Sequence, residues 1–196
     1  MIRIFLLVLL FLGCQYQAPK PNAALDLTYP TPQYSKFDPN PCAYRFVYNK
    51  ISTPTLLSAC GTTLDYPLLK AKVYITYFDL KESSLDTLFL DFEKRLKIFG
   101  KGTQRIDEST FEDKEKGILG SCVVLIGDSP SNLHFFGTDT KSHFISGSLL
   151  FSSAPNYDSL APAIGYIRND VHKICLLYTS DAADDSLRVD LGGRRI

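Results

Sequence analysis

The stretch from Lys70 to Leu96 constrains the fold most, because its apolar residues change period part-way along. Lys70–Phe78 is rich in β-branched and aromatic residues with polar side chains at alternate positions, the pattern of a strand with one buried face. Soon afterwards Leu85, Leu88, Phe89, Phe92 and Leu96 recur at three- and four-residue steps, which places them on one face of a helix. Ser83 followed by Asp86 suits the start of that helix, and Lys94, Arg95 and Lys97 before Gly100 suit its end. An amphipathic helix this close to a half-buried strand implies that helix and sheet share one core.

The rest of the chain extends that plan. Leu25–Tyr29 alternates until Pro30 and Pro32 end it, which predicts a short edge strand; Tyr44–Tyr48 reads the same way, and Thr63–Tyr66 stops at Pro67. Lys101–Gly117 is charged and reads mostly as loop, with one short strand around Gln104–Ile106. Ile118–Ile126, Leu133–Phe136 and His143–Phe151 follow as strands, separated by the turn sequences Gly127–Pro130 and Gly137–Thr140. A last helix starts near Asn156–Asp158, takes Pro162 in its first turn, and repeats Leu160, Ile164, Ile167, Val171 and Ile174. The expected fold is α+β, an antiparallel sheet of about six strands with two amphipathic helices packed on it. It occupies a single domain over residues 25–174.

Ahead of the domain, Arg3 precedes the apolar run Ile4–Leu12, which is too short to span a bilayer and ends at Gly13-Cys14. That is the shape of a lipoprotein signal peptide over residues 1–13, cut before Cys14, whose thiol and new amino terminus are then acylated. Membrane lipid is therefore the first expected partner, each buried acyl CH₂ contributing about 0.8 kcal/mol. An ordinary secretory signal with a chance cysteine, and an uncleaved membrane helix, are the alternatives. Residues 14–24, with Pro19 and Pro21, read as an extended tether.

The other end reads differently. Cys175–Asp185 looks like one reading frame through the transposase end of a sequencing-library adapter, and Val189–Ile196 looks like the primer that closes the same adapter. Residues 175–196 are therefore expected to be an artefactual, disordered tail. With or without it the chain is near neutral, 21 basic residues against 21 acidic, and shows no basic cluster, so no nucleic-acid partner is expected. Setting Cys14 and Cys175 aside leaves Cys42, Cys60 and Cys122. In an oxidising compartment Cys42 and Cys60, in adjoining turn-rich segments, are the natural disulfide pair, the alternative being free thiols. Cys122 sits in an apolar run and reads as a small buried hydrophobe.

Little here carries chemistry. His134 and His143 would face each other if their strands form a hairpin about Thr138 and Asp139, but two imidazoles make no zinc site without a third ligand. No metal and no cofactor are expected. Ser146-Gly147-Ser148 and Gly120-Ser121-Cys122 lack a nucleophile elbow, and Gly100 with Gly102 makes no phosphate loop. Asp139 reads as a turn former and Asp158 as a helix cap. Tyr44, Phe46, Tyr48, Tyr74, Tyr77 and Phe78 offer either half-buried sheet faces or a surface for sugars or a protein.

With the cysteine-terminated signal, Pro19-Lys20-Pro21, Tyr29-Pro30, Tyr34–Asp38, Cys42, Cys60, Thr138–Leu149 and Pro155–Pro162 laid out, the chain resembles the GldD family of gliding-motility lipoproteins from Cys14 to Lys173. The resemblance implies an envelope protein needed for surface gliding and linked to the type IX secretion machinery, with no catalytic residues. Its expected partners are other gliding or secretion-machinery proteins, and the chain is expected not to be an enzyme. Gln15–Ala18 carries no acidic cluster of the surface-export kind, so the domain is expected to face the periplasm, anchored to the inner or outer membrane. The competing expectation is a periplasmic glycan- or peptidoglycan-directed enzyme or binding module using the His134 and His143 hairpin.

Overall fold

The structure, a computed structural model, describes residues 28–176. The signal peptide, Cys14, the tether and residues 177–196 lie outside the described residues. The elements run β1 Tyr34–Phe37, β2 Phe46–Asn49, β3 Thr53–Leu56, β4 Thr62–Tyr66, β5 Ala71–Asp79, α1 Leu85–Phe99, β6 Arg105–Asp113, β7 Ile118–Ile126, β8 Leu133–Thr138, β9 His143–Phe151 and α2 Tyr157–Leu176. The fold is α+β. Strands β3 to β9 form one sheet in the order β3-β4-β5-β9-β8-β7-β6, antiparallel throughout, and β1 with β2 forms a separate two-stranded sheet. The chain leaves β5, crosses as α1 and re-enters at the far edge as β6. The β6–β9 meander then brings β9 back onto β5, in register from Ala71↔Phe151 to Asp79↔His143.

Alternation in β5 sets the two faces: Ala71, Val73 and Ile75 are buried while Lys72, Tyr74 and Thr76 are exposed. The buried face meets α2, whose Ile164, Ile167, Val171 and Ile174 pack on Val73, Leu133, Phe135, Ile145 and Leu149. Each such side chain contributes roughly 1.5–3 kcal/mol by leaving water. On the opposite face α1 sets Phe92 against Val123 and Leu125, with Leu96, Phe99 and Phe136 around them. Strand β7 thus lies between two helices, which is why Cys122–Leu125 is apolar without alternation. Two cross-strand glycines admit aromatic rings. A Cβ at Gly147 would lie 2.3 Å from the Phe135 ring and 2.4 Å from the Tyr74 carbonyl oxygen, and Gly120 receives Phe111 in the same way.

Several expectations are corrected. The charged stretch after α1 is the nine-residue strand β6, an edge strand whose outward residues have no core to pattern against. Strands β1 and β3 were not expected either: β1 carries Ser35 and Lys36, and β3 contains Pro54, which an edge tolerates. Thr28 and Tyr29 are not in a strand, and the remainder of that segment lies outside the described residues. Ser84, not Ser83, is the N-cap of α1, and Pro162 is the sixth residue of α2 rather than part of its first turn. Helix α2 also runs past residue 174, with Cys175 fully buried against Gly137, so the first residue of the adapter-like segment belongs to the core.

Candidate functional site

Polar chemistry inside the domain centres on Asp170 of α2, which is 1 % exposed. Its carboxylate accepts from the Tyr34 hydroxyl at 2.6 Å, from Asn49 Nδ2 at 3.0 Å and from the Tyr66 hydroxyl at 3.2 Å. Burial pushes the Asp170 carboxyl up from the usual range, against the pull of these three donors. Asn49 Nδ2 also donates to the Tyr166 hydroxyl at 2.9 Å, and that hydroxyl donates to the Pro30 carbonyl at 2.9 Å. The group joins β1, β2, β4 and α2, and with Asn49 and Tyr66 buried and Tyr34 half-buried it works as a structural clamp. Cys42 and Cys60 form a disulfide with a Cα–Cα distance of 5.6 Å, at the Thr62 end of β4, where the Tyr44 hydroxyl donates to the Cys60 carbonyl.

The histidine hairpin is not assembled. The β8–β9 register sets His134 opposite Ser148, so the two histidines lie at opposite ends of the pair, and the expectation that they face each other is wrong. The four-residue loop after Thr138 fixes that register, its Asp139 carboxylate accepting backbone N–H groups of Lys141, Ser142 and His143 at 3.1, 2.9 and 2.8 Å. His134 is 1 % exposed under the Phe99 ring, and its Nε2 meets the Ser131 carbonyl at 3.1 Å. His143 Nδ1 lies 2.7 Å from the Tyr77 hydroxyl, and burial pushes that phenol up to about 12. His172 sits beside Phe111. Among the described residues no three His, Cys, Asp or Glu side chains are grouped to hold a metal ion.

The aromatics divide sharply. Tyr44 and Phe46 are core residues, Tyr48, Tyr77 and Phe78 are half-buried, and Tyr74 is 40 % exposed. Helix α1 covers β7, β8 and only the near part of β9, where Phe89 contacts Phe136 and Phe144. Beyond it the paired residues Phe78↔Phe144, Thr76↔Ser146, Tyr74↔Ser148 and Lys72↔Leu150 form a strip along β5 and β9. Its far half is open: Lys72, Tyr74, Thr76 and Leu150 are exposed. At the covered end stands Arg95, read from sequence only as one of three cations suited to the end of the helix. It lies instead over the Phe92 ring and donates from Nη2 to Ser146 Oγ. Its position three residues after Phe92 and four before Phe99, on the apolar stripe, is the sequence signal that marks it.

The described residues thus form a disulfide-bonded α+β domain with one half-open sheet face. The sequence profile described as "Gliding motility lipoprotein GldD" matches residues 14–178, and the chain belongs to that family. It is thus an envelope lipoprotein of gliding motility. No curated protein matches it. Among solved structures, the solution structure of cyanobacterial PsbP (CyanoP) from Synechocystis sp. PCC 6803 is similar, with 8 % identity and a TM-score of 0.46 over 77 % of this chain and 94 % of that one. Among the described residues no helix is long and apolar enough to cross a membrane.

Proposed function

We propose that this domain is a non-catalytic docking component, held by acylated Cys14 on the periplasmic side of the inner or outer membrane, that supports gliding and the linked type IX secretion machinery through protein contacts. The observation that carries the reading is the β5–β9 strip, where Tyr74 and Leu150 stand exposed on regular, rigid strands beside a helix that covers only half the face. Replacing Tyr74 and Leu150 with alanine should abolish spreading while changing stability by under about 0.5 kcal/mol, because neither side chain is core. Normal spreading of that variant would overturn the reading, as would pull-downs from native membranes that recover no motility or secretion component.

One observation favours glycan recognition as a second reading: the exposed Tyr74 ring is flanked by the Thr76 and Ser148 hydroxyls. Binding to purified peptidoglycan that survives Tyr74→Ala would sink it.

A further inference from the structure

Where α1 meets the open strip there is a pocket of about 340 Å³ lined by Phe78, Leu88, Asp91, Lys94, Arg95 and Phe144. Three walls are apolar, and the polar side holds two cations and one acid. Lys94 is already bonded to Asp91, at 3.2 Å. Arg95 is not matched in this way. Among the described residues its guanidinium makes no ion pair: Nη2 reaches only the Ser146 hydroxyl, and Nε is buried with no hydrogen-bond partner. Burial accordingly holds the guanidinium below its usual pKa, with Asp91 opposing only in part. A half-buried cation lacking a counter-charge is costly, and a buried donor left unmade adds to that cost. An incoming carboxylate supplies the missing ion-pair partner, its oxygens accepting from the guanidinium N–H groups that Ser146 leaves unbonded.

The charge count narrows the ligand. With Lys94 and Asp91 neutralising each other, one positive charge remains, and Asp91 at the rim repels a second negative charge on anything that enters. That favours a monoanion over a phosphate dianion. Phe78, Leu88 and Phe144 favour an apolar body next to the charge.

We propose that this pocket takes a carboxylate borne on an apolar body, supplied by an acidic residue with an apolar neighbour on the protein that docks along the strip. The partner part rests on the docking reading above; the carboxylate preference stands on the pocket alone. Calorimetric titration of the lipoprotein in lipid nanodiscs with 3-phenylpropanoate and with 3-phenylpropanamide tests it. The acid should bind at least about 5-fold more tightly than the amide, and R95Q should remove the difference. Should R95Q fail to fold, R95K, which keeps the charge without the fork, should retain the preference for the acid while binding it several-fold more weakly. Equal affinity for acid and amide, no saturable binding, or an unchanged preference in R95Q overturns the proposal. Photocrosslinking from position 150 separates the two readings. Capture of a motility component by wild type and equally by R95Q overturns the partner part and leaves docking intact; no capture by wild type sinks docking, while the acid–amide ratio still decides the pocket.

Discussion

Taking the protein from about pH 7.5 to about pH 5 should cost it about 2 kcal/mol through His134 alone. This imidazole is 1 % exposed, with the Phe99 ring 5.2 Å from its own and Nε2 at 3.1 Å from the Ser131 carbonyl. Burial pushes its pKa down from 6.5 to about 4; the Ser131 carbonyl opposes the fall and the nearby Arg95 charge assists it. The unfolded chain takes up a proton near 6.5, and the folded one does not until about 4. The contribution of neutral His134 is therefore complete above the unfolded value and is lost as pH falls between the two. The whole span is worth roughly 3 kcal/mol, of which about 2 is gone at about pH 5. Other groups titrate in the same range, and Asp170 works in the opposite sense because its folded pKa is raised. The comparison that isolates His134 is with His134→Gln, whose amide can donate to Ser131 without titrating. Urea unfolding of both proteins at the two pH values should show the variant losing about 2 kcal/mol less than wild type. Equal losses, or an NMR titration placing His134 near its ordinary pKa, would refute the reasoning.

Asp170→Ala should destabilise by about 3 kcal/mol in denaturant titrations, since it takes the acceptor from the buried Tyr66 hydroxyl and Asn49 amide and from the half-buried Tyr34 hydroxyl. A loss under about 1 kcal/mol would show that water reaches the cluster. Replacing Cys42 and Cys60 together with serine opens a loop of sequence separation 18 and should cost about 3 kcal/mol, read as a fall in Tm that reducing agent reproduces in wild type. Gly147→Ala should cost more than about 2 kcal/mol by thermal unfolding, because backbone as well as the Phe135 ring blocks the new methyl.

Much of this was legible in the chain, and the exceptions share a cause. Strand β5 and both helices were readable because one face of each lies in the core, so burial stamped a period on the residues, while β7 and β9, buried for most of their length, show as apolar runs between turn sequences. Strand β6 has its outer edge in water, and its Asp107, Glu108, Glu112 and Asp113 carry a loop's composition while the backbone is held by β7. The histidine pair failed on register: alternation gives a residue's face, whereas its partner depends on the loop that closes the hairpin. Asp170 was missed although it lies three residues after Ile167 and four before Ile174, on the apolar stripe of α2. A carboxylate at such a position has to be buried, and Arg95 on the stripe of α1 gives the same signal.

The clamp at Asp170 also settles the route of mechanical load. A pull entering at Thr28 first meets Tyr166, which holds the Tyr29 ring at 5.0 Å and the Pro30 carbonyl. It then reaches Tyr34 and its cross-strand partner Asn49, both fastened to Asp170. Past them the Cys42–Cys60 bond keeps the intervening segment from paying out as slack. A pull at Thr28 is thus delivered to α2, on the side of the sheet away from Tyr74 and Leu150, and the β5–β9 strip can keep its shape under that load.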